Sequence, residues 1–188
     1  MISVLILEGF EDSSLCADSR LMSEVLEVYI PFLVGALRYN GIKCSTVRPS
    51  GFEREYSIIG NDKENIVYVP SFSCAKEKSA ELFNIYTDST DSGSVSFRLA
   101  SRLRKERENT TGKIVFVNAL YDYHPLKKIS PVIMENIRFP SSAGVCDMVE
   151  NIYKTAVTCA KTVCDTYGVI FKEPKYVYFI IFIINNSK

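Results

Sequence analysis

Glu135 is the residue in this chain best placed to do chemistry. It stands inside an apolar run, SPVIMENIRFP (Ser130–Pro140), with a proline at either end. Val132, Ile133 and Met134 read as the end of a buried strand, with Pro131 at its entry, where no ladder hydrogen bond is lost. A carboxylate there is costly unless a cation, a hydrogen-bonding network or solvent at the strand's C-terminal end receives it. Clefts of α/β sheets gather at that end of the strands, and carboxylates in them serve as acids and bases. The competing reading is a capped or salt-bridged glutamate, and the run alone leaves both open.

Other reactive side chains are few. His124, in YDYHPL, is the single histidine and precedes a proline, which suits a turn. Six cysteines (Cys16, Cys44, Cys74, Cys146, Cys159, Cys164) show no CxxC or other zinc-like spacing. Cys146, Cys159 and Cys164 fall in a helical pattern as small apolar residues, and no disulfide framework is indicated. Glu24, near the start of an apolar helix, reads in isolation as a first-turn carboxylate facing the positive end of the helix dipole.

These residues must be positioned by one α/β domain. A chain of 188 residues with 47% hydrophobic content can bury a full core. Lysine plus arginine balance aspartate plus glutamate at 22 each, which excludes the basic face that nucleic acids attract. The densest charge run, RLRKERE (Arg102–Glu108), mixes both signs and reads as the solvated end of a helix. The opening MISVLILEGF has neither a basic region nor a small-residue cleavage site, so it reads as a first strand and the protein as cytoplasmic or released without a signal peptide.

Strands are expected at Ser3–Leu7, Ile42–Val47, Ile66–Val69, Leu82–Tyr86, Lys113–Val117 and Pro131–Glu135, with a loop of small residues at Pro70–Ala75. The spacing predicts a helix over Leu21–Asn40, interrupted by Pro31 and closed by Gly41. A second runs from a Ser92 or Ser94 cap to about Lys105, with Val95, Leu99 and Leu103 on one face. A third carries its stripe from Val145 to Tyr167 and ends at Gly168. The fold class is α/β: a single domain with a mostly parallel or mixed twisted sheet of about six strands, flanked by helices. The domain spans 1–172. Residues 173–188 form a tail whose apolar stretch, Tyr176–Ile184, is too short to span a bilayer as a helix and suits an edge strand.

Four segments resemble the zinc-dependent N-acetylmuramoyl-L-alanine amidases of phage endolysins and of sporulation and cell-wall hydrolases. VLILEGFED (Val4–Asp12) is similar to their first strand and glycine loop. SEVLEVYIPFLVGALRYNGIKCSTVRPS (Ser23–Ser50) is similar to their first helix, ending in an L-x3-L-x3-G pattern (Leu33, Leu37, Gly41), and to the strand after it. IVYVPSFSCA (Ile66–Ala75) stands where the family has a strand leading to a metal-binding histidine. PVIMENIRFPSSAGVCDMVENIYKTAVTCAKTVCDTYGV (Pro131–Val169) is similar to the strand with the catalytic glutamate, its loop and the terminal helix.

The resemblance covers roughly residues 2 to 170. It implies a site in which two histidines and a glutamate hold zinc while a further glutamate acts as general base on a zinc-bound water. On that mapping Glu135 matches the catalytic glutamate and Glu24 the zinc-binding one. The two histidine positions fall on Phe10 and Phe72, which cannot bind a metal. The resemblance thus implies an amidase-like protein with a degenerate zinc site and no cofactor, acting in binding or scaffolding of peptidoglycan fragments or of a cell-wall or sporulation partner, of bacterial or phage origin. The alternative is an active amidase, with a non-standard metal site rescued by Cys16, Cys74, Glu8, Glu11 or Asp12 or with a metal-free carboxylate mechanism. A third reading keeps the fold without any link to the cell wall.

Overall fold

A computed structural model of the chain describes residues 3–7, 19–47, 65–75, 83–121, 126, 131–140 and 145–175. Six strands, β1 (Ser3–Leu7), β2 (Lys43–Val47), β3 (Asn65–Ala75), β4 (Phe83–Thr87), β5 (Phe116–Ala119) and β6 (Val132–Pro140), form one mixed sheet in the order β2-β1-β3-β6-β4-β5. β2, β1, β3 and β6 are mutually parallel; β4 runs antiparallel to β6 and carries β5 parallel beside it.

Among the described residues three helices are seen, α1 (Ser19–Tyr39), α2 (Val95–Thr111) and α3 (Val145–Thr166). Their apolar stripes share one core with Val4, Ile6, Ile66, Tyr68, Phe72, Ile133 and Ile137 of the sheet. Val67, Val69, Val132 and Leu7 face the other way and pack with Leu120 and Leu126. The strand period of two therefore sets Glu135 on the helix-covered face, between Ile133 and Ile137. α1 and α3 pack on each other through an edge-on pair, Phe32 and Tyr153, with ring centroids 5.3 Å apart.

The helix ends follow their local chemistry. Ser94 caps α2 by accepting from the Phe97 amide at 3.1 Å. Gly41, Gly112 and Gly168 each take positive φ just past a helix, a conformation that costs a residue with a Cβ more than it costs glycine. Pro31 lies within α1 without ending it.

Four expected boundaries move, the first being that of β5, which lies over Phe116–Ala119 and not Lys113–Val117. β3 continues through Pro70–Ala75 because β6 pairs with it from Val67 to Ala75, while β1 stops pairing at Tyr68. A proline next to that open edge removes no ladder bond on it. β6 likewise runs to Pro140, so Glu135 lies inside a nine-residue strand and not at its C-terminal end. α2 runs past Lys105 to Thr111, and this carries the charge run into the packed part of the helix. The tail Tyr176–Ile184 lies outside the described residues.

Candidate functional site

The centre of the helix-covered face is polar. Glu135 is fully buried, and so is the guanidinium that meets it: Arg107 of α2 is 2% exposed. Arg107 Nε donates to Glu135 Oε1 at 2.8 Å, and Nη2 donates to Oε2 at 3.2 Å. This two-pronged geometry is the strongest that arginine offers a carboxylate. Tyr68 of β3 donates its hydroxyl to Oε2 at 2.6 Å, and the Tyr29 hydroxyl of α1 lies 2.8 Å from that of Tyr68. The guanidinium carbon also stands 4.9 Å from the Phe83 ring centroid, so the cation gains a π face on its apolar side.

Charge and burial act in opposite directions on these groups. Burial alone lowers the pKa of Arg107, but the Glu135 carboxylate beside it more than offsets this and holds the cation above its ordinary value. Burial, with Cys159 and Glu135 nearby, raises Tyr68 well above the usual phenol range. Tyr68 therefore stays protonated and remains a donor.

The expectation that Arg102–Glu108 is a solvated helix end is corrected at Arg107. Arg104 and Lys105 do face solvent, but Arg107 falls four residues after Leu103 and eight after Leu99, on the buried stripe. That spacing, together with a carboxylate in an apolar strand, was the available signal for the pair. Of the two readings left open for Glu135, the salt-bridged one describes its contacts. The cation receives the carboxylate within the core, where the strand is paired on both sides.

A cavity of about 180 Å³ adjoins this network. Arg107, Thr110 and Thr111 of α2 form one wall, Asn151, Lys154, Thr155 and Thr158 of α3 another, with Phe83 and the Ile137–Arg138 segment of β6 completing it. It sits toward the C-terminal ends of the parallel strands, where α/β sheets bind ligands.

No protein-family model matches the chain, and no curated protein matches it in sequence. Solved structures match it in fold. The catalytic domain of CwlV, an N-acetylmuramoyl-L-alanine amidase from Bacillus (Paenibacillus) polymyxa var. colistinus, aligns with a TM-score of 0.67 at 12% identity, covering 90% of this chain and 100% of that one. The amidase Ami1 of Mycobacterium smegmatis gives 0.66 at 11% identity over 89% and 97% of the two chains. The CwlD amidase from Clostridioides difficile, solved in complex with the GerS lipoprotein, gives 0.63 at 13% identity over 90% and 100%. The fold is that of the amidase catalytic domain.

The site residues implied by the sequence resemblance are placed unequally on it. Glu135 and Phe72 share the helix-covered face: Phe72 pairs in register with Ile137, two residues beyond Glu135. The Phe72 ring is buried and packs edge-on against Tyr29, with centroids 5.0 Å apart. Glu24 lies on α1, which begins at Ser19 and has no acidic residue in its first turn, so the helix-dipole reading of Glu24 does not hold. The Glu24 side chain, Phe10, His124, Cys16, Glu8, Glu11 and Asp12, and the Cys74 side chain, lie outside the described residues.

Zinc is the ion the resemblance implies, and of the four residues it assigns to the site only Phe72 and Glu135 are described with their side chains. Phe72 presents a ring without a donor atom, and Glu135 is already engaged by Arg107 and Tyr68. Among the described residues no three histidine, cysteine, aspartate or glutamate side chains converge.

Cys159 of α3 also lies in the network and is 3% exposed. Burial, then the Glu135 carboxylate, pushes its thiol up to about 12, with Arg107 and the hydroxyls of Tyr68 and Tyr29 opposing. Only the thiolate is nucleophilic, so Cys159 should stay unmodified by iodoacetamide in the native protein at about pH 8, the ordinary thiol range. Peptide mapping after alkylation checks this. Rapid labelling of Cys159 without unfolding would show that the network opens to solvent.

Proposed function

We propose that this protein is an amidase-fold component of a cell-wall or sporulation process, with a degenerate zinc centre, that binds or scaffolds peptidoglycan fragments or a protein partner. One observation carries the reading. Glu135, at the position that the resemblance assigns to the general base, is sealed from solvent and held by Arg107 and Tyr68. A general base must come within hydrogen-bond reach of the proton it takes, directly or through one water. A carboxylate with both oxygens engaged inside the core does not reach a substrate. Phe72 at a ligand position supports the same reading, since imidazole nitrogens supply much of the affinity of such zinc sites.

The fold suits such a role. The matched CwlD structure is a complex with a lipoprotein, so this architecture can present a surface to a protein partner. No helix among the described residues is long and apolar enough to cross a membrane.

The test is cosedimentation of the purified chain with insoluble peptidoglycan, followed by an assay for newly released L-alanine amino groups. Binding without release is the expected result. Release dependent on Glu135 would establish the rival, an active amidase with non-standard ligands.

A further inference from the structure

The cavity beside the Arg107–Glu135 pair has a ligand chemistry of its own, and it stands apart from the reading above. Arg107 commits Nε and Nη2 to Glu135. Its Nη1 has no partner among the described residues, although the side chain is 2% exposed and borders the cavity. Thr155 is the second such group. It is 7% exposed, lines the cavity from α3, and its hydroxyl likewise has no partner among the described residues. Thr162 and Thr166 on α3 donate to carbonyls four residues back, as do Thr110 and Thr111 on α2, while Thr158, which also lines the cavity with no side-chain partner among the described residues, is less buried than Thr155. Buried polar atoms are ordinarily satisfied, so two unpaired donors on one cavity call for an acceptor within it.

We infer that this cavity binds a single carboxylate carried on a short apolar stem. The free guanidinium nitrogen and the Thr155 hydroxyl are both donors, and the positive charge of the guanidinium favours a carboxylate, whose two oxygens can serve both. Lys154 adds a cation at the rim; it is 58% exposed in its side chain and is already paired with Glu150 at 2.7 Å. The anion is held to one charge by two opposing features. Glu135 sits on the other side of the same guanidinium, and the cavity wall includes Thr110 and Thr111 at the carbonyl end of α2, where the helix dipole disfavours negative charge. A phosphate dianion is therefore a poor occupant. Phe83 and Ile137 give the stem an apolar floor. At roughly 30 Å³ per water, the volume of about 180 Å³ holds some six waters, room for a carboxylate and two or three carbons.

The experiment is calorimetric titration of the full chain with sodium butyrate, beside butyramide and inorganic phosphate at matched ionic strength. Butyrate should bind with a millimolar dissociation constant, while butyramide and phosphate should bind at least tenfold more weakly. Thr155→Val keeps the shape and removes the hydroxyl, so it should weaken butyrate about tenfold, the loss of roughly one hydrogen bond to a charged group. Thr155→Ser should restore it. Both variants leave the Arg107–Glu135 pair untouched, so their folding is not at issue, and a thermal melt confirms it. Absence of butyrate binding at tens of millimolar overturns the inference. So does equal binding of butyramide, tighter binding of phosphate, or a Thr155→Val protein that binds butyrate as the parent does. None of these outcomes bears on zinc content or peptidoglycan binding.

Discussion

Replacing Arg107 by methionine should lower the stability of the protein by about 3–5 kcal/mol. The change keeps most of the side-chain volume and helix propensity and removes the charge that faces Glu135. It leaves a carboxylate in the core with Tyr68 as its one remaining donor in the network, and that uncompensated charge is the source of the cost. For a domain of this size the melting temperature should fall by about 6–20 °C. Removing both charges, Arg107→Met with Glu135→Leu, should recover most of the loss, because a buried pair replaced by packed apolar groups is often neutral or stabilising. The two single variants and the double form a cycle whose coupling should exceed about 2 kcal/mol, large for neighbouring residues. Urea unfolding of the four proteins measures it. A single Arg107→Met variant within about 1 kcal/mol of the parent would mean that the pair is solvated or unmade in solution.

Much of the fold was legible because the deciding signals are local. Ser3–Leu7 is a strand where its β-rich run predicts one, and Gly41, Gly168 and Ser94 mark helix ends through backbone conformation and capping. The stripe Ile152, Tyr153, Ala156, Val157, Ala160, Val163 and Cys164 is buried as its helical spacing requires. What escaped was set by pairing across the sheet. Pro70 and the small residues after it have loop-like chemistry, yet β6 extends β3 past them by supplying a partner for each residue from Val67 to Ala75. The same extension turned Glu135 from a strand-end carboxylate into one enclosed on all sides.

The site was half legible for a related reason. A carboxylate in an apolar strand announces that a partner exists, and the list of possible partners included a cation. Arg107 was hidden in RLRKERE because composition reads that run as solvated, whereas the i, i+4, i+8 spacing from Leu99 through Leu103 places one of its charges inward. Tyr68 was read only as strand, since an aromatic in a β run carries no sign that its hydroxyl closes a network 67 residues away in sequence. The cavity has no sequence signature. It is assembled by the end of α2, the middle of α3 and the edge of two strands, which meet only in the folded chain.

The second large effect concerns metal. A zinc amidase holds its ion through two imidazoles and a carboxylate, with an open position for water. Here the Phe72 ring is packed on Tyr29 at the position the resemblance assigns to an imidazole, and Glu135, which it assigns as general base, is locked to a guanidinium. Protein purified without a histidine tag and dialysed against zinc-containing buffer, then against metal-free buffer, should retain far less than one zinc per chain by elemental analysis. A structural or catalytic site would retain about one, since ligand sets of three or four donors hold zinc through dialysis. Close to one zinc per chain, lost on replacing Cys74 or Glu24, would contradict the account. It would show that other side chains rebuild the centre and return the protein to the metal-dependent hydrolases whose fold it shares.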